Sequence, residues 1–109
     1  MQTHIQSRGF SLTEALRQYA LRRLKNAVSF ANDHIRRVTI LLSDINGPRG
    51  GEDKRCQLIV TMDKLPSVVI EDTEHDLYAA IDRATERASR SLARRLERKQ
   101  SHRVVMMPL

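Results

Sequence analysis

The chain has 109 residues, of which 40% are hydrophobic and 29% charged, with four Gly and three Pro. That is enough for one domain with a modest core, and it excludes collagen-like and wholly disordered chains. No apolar run approaches the roughly 20 residues of a membrane span, no signal peptide opens the chain, and the single cysteine, Cys56, excludes an internal disulfide framework and a cysteine-rich zinc site, so a cytoplasmic protein is expected.

Nineteen Lys+Arg against thirteen Asp+Glu give a net charge of +6. Arginine dominates the basic set, and its planar fork of donors suits phosphate better than mere solubility requires. The charge is also unevenly placed. Arg87, Arg90, Arg94, Arg95, Arg98, Lys99 and Arg103 form a run interrupted by one acid, Glu97, and the run follows an acidic stretch of Glu71, Asp72, Glu74 and Asp76. Acids before a helix and bases toward its end complement the helix dipole, but the dipole acts only over a terminal turn and this basic run covers several.

In chain order, residues 2–7 read as a short strand with Ile5 inward, and Arg8-Gly9-Phe10 as a turn. Ser11-Leu12-Thr13-Glu14 matches a capping box, with Ser11 as the cap. Leu12, Leu16, Tyr19, Leu24, Ala27, Val28 and Ala31 follow at helical spacing, predicting a helix over about 12–31. From Ile35 to Ile45 the period becomes two, with Val38, Ile40 and Leu42 on one face, so this is a strand. Asn46 to Gly51 is a loop holding three of the four glycines. Residues 55–62 form the next strand, with Cys56, Leu58, Val60 and Met62 on one face. Lys64-Leu65-Pro66-Ser67 turns the chain into a short strand, Val68 to Ile70, expected to pair antiparallel with its predecessor.

The last helix is predicted from near Asp76 to about Gln100, with Thr73 as its cap. Leu77, Ile81, Ala84, Ala88 and Leu92 lie within an arc of about 80°, and Arg83, Arg87, Arg90, Arg94 and Arg98 within another of about 80°, centred about 120° away. One face packs and an arginine ridge looks outward. The order β-α-β-β-β-α, with two amphipathic helices and single-face alternation in the strands, predicts an α+β two-layer sandwich. Both helices then pack on one face of a four-stranded sheet. Residues 1–100 form one domain, and 101–109 a short flexible tail in which Pro108 bars regular structure.

The chemistry of an enzyme is missing from the pattern. His4, His34, His75 and His102 pair with no other His or Cys at metal-ligand spacing. Cys56 follows cationic residues but falls on the inner face of its strand, which favours a buried small hydrophobe over a nucleophile. The Gly-rich loop lacks the Gly-Lys-Ser/Thr of a phosphate-binding loop and leads into a strand, though Arg49, Lys54 and Arg55 make it a secondary RNA contact candidate. No base, nucleophile and orienting group converge, so a non-enzymatic protein without cofactor, metal or small-molecule substrate is expected.

Five arginines one turn apart place guanidinium groups about every 5–6 Å along a line, the scale of nucleic-acid phosphates. Solvated helix faces usually alternate sign at i,i+4, whereas Arg94 and Arg98 have Arg90 and Arg94 four residues before them. With two Phe, two Tyr and no Trp there is no stacking platform for single-stranded bases, and no helix-turn-helix pattern is visible. Arginines gripping the phosphates of a folded, A-form-rich RNA suit this surface best.

Asp76-Leu77-Tyr78-Ala79-Ala80-Ile81-Asp82 followed by spaced basic residues resembles the second helix of the ribosome hibernation factors. These are the short hibernation-promoting factors and ribosome-associated inhibitors, also called sigma-54 modulation or S30EA-type proteins. The resemblance covers nearly the whole chain, including the opening strand, the Ser-Leu-Thr-Glu-Ala-Leu helix start and the Gly-Gly-Glu-Asp-Lys-Arg-Cys approach to a strand. It implies a fold similar to double-stranded-RNA-binding domains. It also implies binding to the small ribosomal subunit and its rRNA at the subunit interface, in the channel of mRNA and tRNA anticodon ends, inhibiting translation in starved or stationary cells. Arg87, Arg90, Arg94 and Arg98 match the family's basic second helix and are the implied rRNA contacts. Arg83 extends the ridge, and Arg22 and Lys25 on the first helix flank the site. Ending at residue 109, the sequence lacks the further dimerisation domain of long members and is expected to stay monomeric off the ribosome. Two other readings remain open: a protein-interaction regulator of a sigma factor, using the apolar Val104-Val105-Met106-Met107 stretch, and a generic structured-RNA binder.

Overall fold

Strands of period two and helices of period 3.6 sort into two layers, because each buries one apolar side. The computed structural model describes residues 1–45 and 53–106, with side chains described through Arg98. The elements are β1 (Gln2–Arg8), α1 (Glu14–Val28), a 3-10 helix (Ser29–His34), β2 (Ile35–Asp44), β3 (Lys54–Met62), β4 (Val68–Glu74) and α2 (Leu77–Met106). This is the expected β-α-β-β-β-α order. The sheet runs β1-β2-β3-β4. β1 is parallel to β2, as a helical crossover requires, and the two later pairs are antiparallel.

Register carries apolar rows across the sheet. Ile5 faces Ile40, Ile40 faces Leu58, and Leu58 faces Ile70. A second row joins Val38, Val60 and Val68. These side chains meet Leu16, Ala20, Leu24 and Val28 of α1 and Ala80, Ile81, Ala84, Ala88 and Leu92 of α2 in one buried cluster. Each large aliphatic side chain contributes about 1.5–3 kcal/mol by leaving water. The alanines let α2 lie close to the strands. Cys56 is fully buried, and burial pushes its thiol up to about 12, so it is a core residue rather than a nucleophile.

Several boundaries differ from the sequence expectation. The cap of α1 is Thr13, extended at φ −80° and ψ 155°, whose Oγ1 accepts from the Leu16 amide at 3.2 Å. Ser11 is not the cap, because starting at Glu14 puts Leu16 into the core and leaves Leu12 partly buried ahead of the helix. The α-helix ends at Val28 and tightens into the 3-10 helix, where Ala31 is still buried. Asn32 and Asp33 are weak helix formers that favour this transition. Thr73 does not cap α2 either, since β4 extends to Glu74 and pairs Thr73 with Arg55. Asp76 does so instead, accepting from the Tyr78 amide at 3.2 Å. α2 continues past Gln100 to Met106, a stretch that includes good helix formers such as Lys99 and Gln100. The proposed loop contact Arg49 and the end of the tail, Met107 to Leu109, lie outside the described residues, as do the side chains of Val104 to Met106.

Candidate nucleic-acid interface

α2 has three working flanks, set by where residues fall at 100° per position. The apolar flank sits on β3 and β4. A second flank meets α1. Here Asp82 Oδ1 accepts from Tyr19 Oη at 2.5 Å and from Arg23 Nε at 2.9 Å, and the rings of Tyr19 and Tyr78 meet edge to face at 4.8 Å. The hydrogen bond to Asp82, then burial, raises the pKa of the Tyr19 hydroxyl. This clamp ties α2 to a tyrosine 63 residues away in the chain, a pairing that periodicity does not reveal.

The third flank carries the ridge, on the side of α2 away from α1 and beside the edge strand β4. Arg83, Arg87, Arg90, Arg94 and Arg98 are all exposed. Arg83, Arg87, Arg90 and Arg94 line one groove of about 310 Å³ together with Ile70 and Ser91, and Arg98 follows one turn on. Their states differ. Arg87 Nη1 donates to the Glu71 carbonyl at 2.8 Å and to Asp72 Oδ2 at 2.9 Å, which anchors the helix to β4. Arg90 meets Glu86 at 3.3 Å in an exposed i,i+4 pair, worth little in water. Among the described residues, Arg94 reaches only the Ser91 hydroxyl, at 3.5 Å. Arg83, Arg94 and Arg98 make no ion pair among the described residues. The ridge is therefore a line of guanidinium groups of which one is committed to the fold.

Arg95, off the ridge, has a structural duty that the sequence reading missed. Its Nη1 donates to the carbonyls of Pro66 and Ser67, the latter at 3.2 Å. With Arg87 it ties α2 to β4 and to the turn that leads into it. Arg22 and Lys25 are exposed on α1. They do not join the groove, because the side of α1 nearest α2 carries Tyr19 and Arg23. Of the candidates beside the Gly-rich loop, Lys54 is held by Asp53 at 2.8 Å and Asp44 at 3.2 Å, and Arg55 lies 3.4 Å from Glu71. Lys54 is thereby committed to two acids, whereas the Arg55 pair is loose and half exposed. Among the described residues, no group of three or more His, Cys, Asp or Glu is placed to hold a metal ion, and no helix is long and apolar enough to cross a membrane.

This architecture has known counterparts. The N-terminal domain of Thermus thermophilus Protein Y superposes with a TM-score of 0.68 at 27% identity, covering 86% of this chain and 98% of that one. A ribosomal subunit interface protein from Coxiella burnetii superposes with a TM-score of 0.76, covering 89% of this chain and 99% of that one. At 15% identity, the second likeness speaks for the fold alone. No curated protein matches the chain. The family model described as sigma 54 modulation protein / S30EA ribosomal protein matches residues 3–100, and the chain belongs to that family.

Proposed function

We propose that this chain is a non-enzymatic ribosome-binding factor of the hibernation type. It docks on small-subunit rRNA at the subunit interface, where mRNA and tRNA bind, and silences translation in starved or stationary cells. The observation that carries the reading is the ridge: five exposed arginines on one flank of α2, in a chain of the S30EA family. Arg83, Arg90, Arg94 and Arg98 hold rRNA phosphates. Arg87 sits among them and keeps α2 seated on β4 while offering its remaining donors. Arg22 and Lys25 make a peripheral contribution from α1. The protein acts in the cytoplasm, as a monomer off the ribosome.

Phosphate contacts supply affinity without base readout and make it salt-dependent. The test is co-sedimentation with ribosomes in a sucrose gradient at low and moderate salt, for the wild type and for a charge reversal of Arg83, Arg90, Arg94 and Arg98. The wild type is expected to travel with the small subunit and the intact ribosome, and the variant to stay at the top. Wild type remaining at the top at low salt would refute ribosome binding. A variant that still co-sediments would refute the ridge as its basis.

A further inference from the structure

We propose a second RNA-phosphate site on the open face of the sheet, built on Arg36 and Arg37. The proposal extends the reading above and rests on it for the kind of ligand. Its geometry begins with an irregularity. Ile35 pairs with Met62 and Arg37 with Thr61, so Arg36 is an extra residue in β2, a bulge. In a regular strand successive residues face opposite ways. Here the burial runs buried, exposed, exposed, buried over Ile35, Arg36, Arg37 and Val38. The bulge keeps Ile35 and Val38 in the core and leaves two consecutive arginines outside it, the re-aiming for which bulges are used near binding sites.

Neither arginine makes an ion pair or a side-chain hydrogen bond among the described residues. Asp33 and Asp63, acids close in sequence or across the turn, pair with neither. Among the described residues, Glu71 is the acid on this sheet face, and it is met at the other end by Arg55 and Gln57. Around the pair lie two adjoining depressions of about 510 and 450 Å³ that share Gln2 and Arg37. Thr3, His4, Thr39 and Thr61 complete the lining with hydroxyl and imidazole groups able to meet phosphate oxygens. His4 is also met by the Gln6 amide at 3.0 Å.

The occupant is a phosphodiester backbone. The surface is a shallow basic saucer rather than a closed cavity, so it suits a polymer lying across it. Unpaired arginines flanked by small hydroxyl side chains match the donors that hold nucleic-acid phosphates. The helices cover the opposite side of the sheet, so this site and the α2 ridge cannot grip the same short stretch of RNA. A chain with both is a wedge between two RNA segments.

The test measures binding of a labelled RNA duplex across a salt series, with Arg36→Gln/Arg37→Gln, with Arg83→Gln/Arg90→Gln/Arg94→Gln/Arg98→Gln, and with all six changes. A capture assay with one immobilised and one labelled RNA reports bridging, and thermal melts confirm folding. Removing the pair should abolish bridging and the second duplex bound per protein at saturation, while single-duplex binding and its salt slope persist through the ridge. Unchanged stoichiometry and bridging in the Arg36/Arg37 variant would overturn the sheet-face site and leave the ridge reading intact. Unchanged binding in the ridge variant, with loss in the Arg36/Arg37 variant, would do the reverse. Absence of wild-type binding would overturn both. Displacement of the Arg36/Arg37-dependent component by millimolar inorganic phosphate at constant ionic strength would assign a small anion there and overturn the RNA assignment.

Discussion

Two arginines on one helix face, Arg87 and Arg94, have the same sequence signature and opposite roles. Arg87 is pinned between the Glu71 carbonyl and Asp72, whose side chain is only 10% exposed. Arg94 touches one serine hydroxyl at the limit of hydrogen-bond distance. Arg87→Gln is therefore expected to lower stability by about 1 kcal/mol, discounted for the exposure of the arginine. Arg94→Gln should leave the melting temperature unchanged and weaken RNA binding; paired melts and binding isotherms separate the two. Gly9 gives a sharper case. Its φ is +87°, and a Cβ there would stand 2.6 Å from the Asp44 carbonyl oxygen, which belongs to backbone that cannot swing away. Gly9→Ala should cost about 1–3 kcal/mol in urea denaturation. A fully stable variant would show that the β1–α1 turn shifts freely.

Between elements, the α1–α2 clamp decides how the helices sit. Asp82 holds both Tyr19 and Arg23, so Asp82→Asn removes an ion pair and weakens the hydrogen bond that raises the Tyr19 pKa. Spectroscopic titration of tyrosinate should then show the Tyr19 midpoint moving down in the variant. The sign for stability follows. Tyr19 holds its proton more tightly when folded, so its contribution is full below the ordinary value of 10.0 and is lost as pH rises through the higher folded value. Stability of the wild type should therefore fall more steeply with alkaline pH than that of Asp82→Asn. Equal slopes would mean that the contact is not maintained in solution.

At the scale of the whole molecule, Leu58 occupies the centre of the apolar row Ile5–Ile40–Leu58–Ile70 that joins all four strands. Leu58→Ala should cost about 2–5 kcal/mol. The buried Cys56 thiol reports the same opening. It should react with a thiol reagent only as fast as the core unfolds, and faster in Leu58→Ala. Most of this architecture was legible in the residues. Alternation of Val38, Ile40 and Leu42 and of Cys56, Leu58, Val60 and Met62 announces two half-buried strands. The 3.6-residue stripe of Leu77, Ile81, Ala84, Ala88 and Leu92 announces which side of α2 packs. From that stripe the outward direction of the ridge follows, and all five arginines are exposed. Less legible were the helix starts. Ser11 and Thr13 are equally good caps, as Thr73 and Asp76 are plausible ones, and the choice falls to whichever register buries Leu16 or lets Thr73 pair in β4.

What the sequence determined by itself is thus what depends on period and charge: two layers, the buried faces, a basic helix flank and the family motif beginning at Asp76. What only the tertiary structure decided depends on partners far apart in the chain. It tied Arg87 to β4 and Arg95 to the turn before it, Asp82 to Tyr19, and Lys54 to Asp53 and Asp44, giving those side chains structural duties. It also turned Ile35-Arg36-Arg37-Val38 through a bulge, leaving two exposed arginines that make no ion pair among the described residues. The physical reason is that periodicity is a local property of the backbone, whereas the availability of a charge is settled by which opposite charge folding brings within a few ångströms of it.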